Sequence, residues 1–500
     1  MATQNTGYSI IKPAAGRKLM SKDRNKHLPL KNFNDREKNE AEHTPFTPIS
    51  QTLKGGRTRT TGTSEPQKIV KFQIYLSRTE LSGIEENGIE FRIESGKTSD
   101  SKTLLYYLSK EYKINFNVFS EMFAIWMISP LLEVQLKPYH RPYECREGWE
   151  TLLERFADES NLHLFGQDEP ILMLRRNVCL TCDREFELLQ THPKCAYFLI
   201  TDARDMLLLG RLHFLSIDDT VRVAALLFCL QFGNFNEESH DVSFLRNHID
   251  DIFPERTCDS IVAKTIFGKA ISKKTVQEDR LQTFWREYSE IKTDFEKELK
   301  LLTILTEMSS CYGAAWFSSR IEKKTSRASF RHFGQSFAEV EVNIGINDRF
   351  LTIVDAHSSE TLLVQHLEEL TWQLEAPKGE KNPFLILNIS CEEEINDGNN
   401  TTIDISDETA LFLKITGNQT ILIDALLKNM QGRWLERASS SSSSSDSSSG
   451  GHASLIKSKL DYKNHTASRN RKLCLAKFKD GICTEVAGSF KDVYSHGQTI

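Results

Sequence analysis

The stretch FNVFSEMFAIWMISPLLEVQLKPYHRPYECREGWETLLERF, Phe116–Phe156, decides how the rest of the chain is read. Within it Phe123, Ile125 and Met127 alternate with Ala124, Trp126 and Ile128. Both faces of such a strand are apolar, which predicts a central strand buried on both sides. Ser129-Pro130 interrupts the run, because proline brings no N–H to a ladder. Leu132, Val134 and Leu136 then alternate with Glu133 and Gln135, the pattern of a strand with one dry and one wet face. Lys137-Pro138 closes that run, and the two together predict a β-hairpin. Beyond Pro142, Trp149, Leu152, Leu153 and Phe156 recur at helical spacing. They predict a short amphipathic helix over the face the hairpin leaves open.

A chain of 500 residues that is 39% hydrophobic has room for several cores, about three at the usual ~150 residues per domain. Its net charge of -6 argues against a dedicated nucleic-acid binder. No run approaches the roughly 18 apolar residues of a membrane-spanning helix, and Met1–Gly7 lacks the apolar core of a signal peptide. Ala2 excludes myristoylation, and no cysteine stands where prenylation needs one. A cytoplasmic protein is expected, with any membrane contact peripheral. In that compartment ten cysteines read as separate thiols rather than a disulfide framework.

Outward from the central stretch, residues 1–67 show no periodicity, and Lys12–Lys31 holds seven basic residues against one Asp. This predicts a disordered basic arm. Ile69–Leu76 and Ile89–Ile93 read as strands around a turn at Gly83–Gly88. Ser99 or Ser101 is placed to cap a helix with Leu104, Leu105, Leu108 and Tyr112 on one side. With a last strand at Ile171–Arg175 the order becomes β-β-α-β-β-α-β, that of a ubiquitin-like fold. From Asp183 to about Leu305 strand patterns fade. Ser216 is an N-cap with Asp218 and Asp219 in the first turn. The helix it opens carries Val221, Val223, Leu226, Leu227, Phe228 and Leu230, nearly all-round apolar and so central. Gly233 is expected as its left-handed stop, Thr201-Asp202 as the cap of a helix Ala203–Leu209, and Lys300–Met308 as a further helix of a small bundle.

From Cys311 seven short strands are expected: Ala314–Phe317, Glu339–Ile346, Phe350–Val354, Thr361–Leu367, Leu370–Leu374, Phe384–Ile389 and Ala410–Ile415. A helix over Gln419–Glu436, with Leu422, Ala425, Leu426 and Met430 on one face, completes a pleckstrin-homology-like sandwich. From Ser439 a serine tract runs into a basic tail, and 437–500 is expected to be disordered as a whole.

An α+β chain of three lobes in this order resembles a FERM domain: a ubiquitin-like β-grasp at 68–176, a helical acyl-CoA-binding-protein-like bundle at 177–308 and the pleckstrin-homology-like sandwich at 309–436. Leu174–Val178 (LRRNV), Met206–Leu212 (MLLLGRL), Phe232–Phe235 (FGNF) and Tyr312–Trp316 (YGAAW) resemble family segments at the corresponding points, as does FAIWMISPLLEVQLKPYHRPY. The resemblance implies a non-catalytic adaptor without a cofactor, peripheral at the plasma membrane, that binds the cytoplasmic tail of a membrane protein. Similar members bind inactive rhomboids and stabilise them with their metalloprotease sheddase at the cell surface. A role damping Wnt signalling through a lipoprotein-receptor-related co-receptor is implied in the same way. A different class, a linker from membrane to actin, needs a long amphipathic C-terminal helix that the residues after Ser439 do not supply.

Cys179-x2-Cys182 and His192-x2-Cys195 have the spacing of zinc ligands, but Pro193 breaks the second pair, and separate thiols without metal are expected. The chain has no HExxH or G-x-S-x-G, and Gly96-Lys97-Thr98 lacks the upstream glycine of a phosphate loop, since Phe91 stands there. No enzyme is expected. Arg320, Lys323, Lys324, Arg327 and Arg331 gather five cations where the first loop of the third lobe should lie. Such a loop is either plain solvated surface or a contact for anionic phospholipid, at about 1 kcal/mol per cation. Ser326 and Ser329 inside it would subtract charge if phosphorylated. Gln498-Thr499-Ile500 weakly resembles a PDZ ligand. The candidate partner groove is the strand Leu370–Leu374 beside the closing helix, with Leu370, Thr371, Gln373 and Leu374 offering an open edge and Trp372 facing the core.

Overall fold

The structure is a computed structural model and describes residues 69–77, 88–94, 96–262, 274–324, 337–375, 383–390, 409–442, 473–479 and 481–499. The expected arm at 1–67 therefore lies outside the described residues. Residues 64–500 form one compact unit.

The first sheet is built from β1 (Val70–Tyr75), β2 (Ile89–Ile93), β3 (Phe123–Ile128), β4 (Glu133–Gln135) and β5 (Ile171–Arg176), in the order β2-β1-β5-β3-β4. β1 and β5 run parallel and the other pairs antiparallel. All six residues of β3 are buried, as its two apolar faces predict. α1 (Ser101–Glu111) covers the sheet, followed by α2 (Phe116–Met122), α3 (Pro142–Glu147) and α4 (Trp149–Phe156).

Three expectations here need correction. The cap of α1 is Asp100, which accepts from the Thr103 N–H at 2.8 Å, while Ser101 is already inside the helix. Phe116–Met122 is a helix that the strand reading of its neighbour did not foresee; Asn115 caps it and Phe119 and Met122 are buried. The supposed wet face of β4 is partly covered. Glu133 is 9% exposed and accepts from Arg175 at 3.2 Å and from Arg211 at 2.7 Å, because the helices that follow lie over it.

Those helices are α5 (Cys182–Thr191), α6 (Cys195–Leu208), α7 (Ile217–Phe232), α8 (Val242–His248), α9 (Glu255–Ile261), α10 (Val276–Ser289) and α11 (Asp294–Met308). α7 is the central one, capped by Ser216 as expected. Gly233 ends it at φ +85° and ψ -162°, a glycine conformation outside the left-handed helical region that was expected. Its carbonyl accepts from the buried Trp285 indole at 2.9 Å. Thr201-Asp202 does not start a helix: α6 runs through it. The Thr201 hydroxyl donates to the Tyr197 carbonyl and the Asp202 carboxylate accepts from Arg175 at 2.8 Å, so neither is available as a cap. α10 and α11 each begin with a capping box, Thr275 with Glu278 and Thr293 with Glu296.

The second sheet contains β6 (Ala315–Lys324), β7 (Phe337–Ile346), β8 (Phe350–Asp355), β9 (Thr361–His366), β10 (Thr371–Glu375), β11 (Phe384–Ser390) and β12 (Thr409–Thr416), in the order β10-β11-β12-β6-β7-β8-β9. β12 meets β6 only through Ile415↔Ile321 and Thr416↔Arg320, a short seam that joins β10–β12 to β6–β9. α12 (Thr420–Ser442) extends beyond the expected Glu436 and buries Ile423, Leu427 and Met430 in that core.

The largest correction concerns the tail. Leu475–Lys479 forms β13 on β12, and Ile482–Glu485 forms β14 on β13. Cys474, Ala476, Phe478, Cys483 and Phe490 build a small hydrophobic cluster of their own. A tail read as disordered thus holds a folded hairpin that brings the second sheet to nine strands.

Candidate functional site

β10 lies at the end of the second sheet. It pairs with β11 from Thr371↔Asn388 to Glu375↔Phe384, and among the described residues no strand covers its other edge. Strand alternation exposes Thr371 and Gln373 and turns Trp372 and Leu374 toward α12. The Trp372 indole donates to Asp424 of α12 at 3.1 Å, and Lys428 holds the same carboxylate at 2.9 Å. The half-buried Leu422 and Leu426 of α12 pack on the same core. Leu370 is buried and precedes the strand, so it belongs to the core rather than to the edge. The groove is therefore a row of backbone groups beside an apolar helix face, with Trp372 held between strand and helix. It can take an extended peptide segment.

The described part of the basic cluster lies in a strand. Arg320, Lys323 and Lys324 lie within β6, while Arg327 and Arg331, with Ser326 and Ser329, fall outside the described residues. Arg320 is bonded to Asp158 at 2.6 Å. Lys323 lies 3.1 Å from Asp355 and 3.7 Å from Glu360, with its side chain 20% exposed. Lys323 is thus held by the fold, while Arg320 is tied to Asp158 at the surface. The strand runs further than its apolar residues suggested, and Lys323 within that extension finds carboxylates across the sheet.

The cysteine and histidine pairs are held apart by α5. Cys182 opens that helix and His192 ends it, about 15 Å away at 1.5 Å per residue. Cys182 is buried, and its amide donates to Asp348 at 3.0 Å. Burial, with Asp348 nearby, pushes its thiol far above the usual range. Burial likewise pushes Cys195 up to about 11 and raises Cys179. Cys179 lies 3.4 Å from Asn429 of α12, and His192 contacts Thr191. The four do not converge, and among the described residues no cluster of metal ligands is found. Of the terminal PDZ-like residues, Gln498 accepts from the Cys483 N–H at 2.8 Å and Thr499 bridges Ile482, while Ile500 lies outside the described residues.

A feature that motif reading missed joins the first sheet to the helices. Arg176 is 2% exposed; its Nε donates to Glu185 at 2.5 Å, and the hydroxyl of Tyr312, at the start of the second sheet's region, donates to Glu185 at 2.7 Å. Burial opposes the charge on Arg176, but the Glu185 carboxylate holds its pKa above the ordinary value. Beside it Arg175 serves Glu133 and Asp202. Two adjacent arginines at the end of an apolar strand were the available signal, since buried charge must find a partner.

No family model matches the chain. Its sequence nonetheless places it beside proteins carrying a FERM domain. It is similar to FERM domain-containing protein 8: 27% identity over 281 residues to the Xenopus laevis protein, covering 55% of this chain and 60% of that one. The human protein is 28% identical over 283 residues, covering 55% and 58%. The matched region thus spans less than two thirds of the length of these relatives. Among solved structures, a Dictyostelium discoideum myosin VII MyTH4-FERM MF2 domain aligns with TM-score 0.45 at 13% identity, covering 73% of this chain and 61% of that one. The human myosin 7b C-terminal MyTH4-FERM domain, in complex with a harmonin-a PDZ3 domain, aligns with TM-score 0.41 at 11% identity, covering 73% and 60%.

Proposed function

We propose that the chain is a non-catalytic adaptor whose three lobes, ubiquitin-like at 68–176, helical at 177–308 and pleckstrin-homology-like from 309 onward, hold a groove for the cytoplasmic tail of a membrane protein. The observation that carries this reading is the edge of β10 beside α12, which no strand among the described residues covers, with Trp372 fixed to Asp424 at 3.1 Å. An unpaired strand edge offers backbone hydrogen bonds for affinity, and the helix beside it offers apolar contacts for specificity. Resemblance to FERM domain-containing protein 8 names an inactive rhomboid as the tail to try first, with a place at the inner face of the plasma membrane and a Wnt co-receptor as a further partner. Any contact with anionic lipid falls to cations other than Arg320 and Lys323, which carboxylates of the fold already hold.

The test is capture of a synthetic inactive-rhomboid cytosolic tail by the full chain and by its Thr371→Pro, Gln373→Pro and Leu426→Glu variants. Proline blocks strand addition where it stands, and Leu426→Glu charges the helix side of the groove. Loss of capture with an unchanged circular dichroism spectrum supports the groove. Unchanged affinity in all three folded variants removes it.

A further inference from the structure

β12 has a second occupied edge with an unusual division. Its last two residues pair with β6, whereas Thr409–Leu413 pair with Lys479–Leu475, a segment that arrives more than sixty positions later. The β6 contact already joins the two halves of the sheet, so β13 fills the stretch of the β12 edge that β6 leaves unpaired. Behind β13 lies a separate cluster in which Ala476, Phe478, Cys483 and Phe490 are buried over Phe337, Ala410 and Phe412. Tyr494 joins it, its ring 5.1 Å from that of Phe478.

The attachment to β6 is narrow. The Glu322 carboxylate accepts from the Ser489 amide at 2.9 and 3.2 Å, and the Glu322 carbonyl accepts from the Cys474 amide at 3.0 Å. Gly488 presents its backbone to that carboxylate at φ +57°, where an added Cβ would run into Glu322 and the Cys474 sulfur. Thirty residues, 443–472, separate α12 from this segment. That many residues reach up to about 100 Å, so the segment can leave its edge without disturbing α12.

We propose that the β12 edge next to β6 is a second peptide-binding surface, with the chain's own residues 473–499 as its displaceable occupant. The external partner it fits is an extended segment of another protein that sets a small and an aromatic residue two apart on the outer face, as Ala476 and Phe478 do. This surface is distinct from the β10 groove and does not depend on it. Only Leu473 and Leu475 of this segment reach the sheet's shared core, while its other buried residues pack in the small cluster, and such a unit opens locally at lower cost than the whole core. The tether keeps the resident segment at an effective concentration on the order of millimolar. A partner offering the same contacts from solution at micromolar concentration is therefore excluded until the resident is weakened.

The experiment follows from that competition. A fluorescent peptide with the sequence Leu473–Ile500 is titrated into the full wild-type chain and into full chains carrying Phe478→Asp or Gly488→Ala. Alkylation of Cys474, whose thiol burial and Glu322 push up to about 12, reports in parallel whether the segment has opened. The expected result is faster alkylation in the variants and peptide binding at least tenfold tighter than to wild type. Either variant suffices if the other fails to fold. Equal binding to wild type and variants, no binding to an opened variant, or alkylation that begins only on global unfolding would overturn the proposal. So would concentration-dependent dimers of the wild type, which would assign the edge to strand exchange between two copies.

Discussion

The two joints of this molecule are made in opposite ways. The first sheet is fastened to the helices by guanidinium groups out of water: Arg176 with Glu185 and Tyr312, and Arg175 with Glu133 and Asp202. The C-terminal hairpin is fastened to the second sheet by strand pairing, by Leu473 and Leu475 in the sheet's core, by a cluster with five fully buried members and by one carboxylate that takes a peptide amide. A buried ion pair is costly to form and costlier to break, since either partner left alone is a desolvated charge. A hydrogen bond to a half-buried carboxylate is lost without that penalty, because water replaces it. The contrast teaches which boundary is built to stay shut and which can open.

The largest effect is expected at the first joint. Arg176→Ala leaves Glu185, 0% exposed, without its cation, and should cost about 3–5 kcal/mol in denaturant unfolding. A loss below 1 kcal/mol would mean the joint is not what holds these parts together. Next, Gly488→Ala must strain a positive φ and displace Glu322, at about 1–3 kcal/mol. That cost should fall on the hairpin alone. Hydrogen exchange should rise in 475–485 and stay unchanged in β3 and β8; a uniform rise across the chain would erase the distinction between the joints.

A third substitution asks whether β6 is surface or structure. Lys323→Ala removes the partner of Asp355, which is itself buried, and should cost about 1.5 kcal/mol at neutral pH. Burial alone would raise the Asp355 pKa, but the Ser358 amide and Lys323 outweigh it and hold the carboxyl below its ordinary 3.8. A carboxyl with a depressed folded pKa gives stability that is present above its unfolded pKa and lost as pH falls. The gap between wild type and Lys323→Ala should thus be full above about pH 4 and shrink on acidification below it. Binding to anionic vesicles should not change with this variant.

What could be read from the chain depended on whether periodicity met its partner locally. β3 was legible because two apolar faces leave few alternatives; the closing helix was legible as a helix, but the stripe it buries is Ile423, Leu427 and Met430, with Leu422 and Leu426 half-buried and Ala425 exposed. Alternation in β4 told correctly where Glu133 points but not that a later helix would cover it, which is information no short window contains. Asp202 looked like a cap because its chemistry suits one, and only Arg175, 27 positions earlier, shows why it is not. The C-terminal hairpin was obscured by the serine tract before it and by Lys477 and Lys479 within it. Yet Asp480-Gly481 between LCLAKF and IC is a strong hairpin signal, and Gly481 takes φ +74°. Averaging composition over sixty residues hid a turn that a local reading would have found.

The smallest effect separates the two edges of the second sheet. Trp372 is only half-buried, and its indole N–H donates to Asp424 across the groove. Trp372→Phe keeps most of the apolar contact and removes that one bond, so it should cost about 1 kcal/mol. Asp424 is not left bare, since Lys428 still holds it at 2.9 Å, which keeps the loss at the low end. Because the indole ties β10 to α12, its removal should loosen the groove and weaken capture of a tail peptide by more than it weakens the fold. The β12 edge lies on the other side of β11 and should not respond: the reactivity of Cys474 should match wild type. Chemical unfolding, peptide titration and thiol labelling on this one variant therefore test whether the open edge and the occupied edge act independently. If loosening α12 also exposes Cys474, the two edges are coupled, and a partner at β10 would reach the hairpin through the sheet they share.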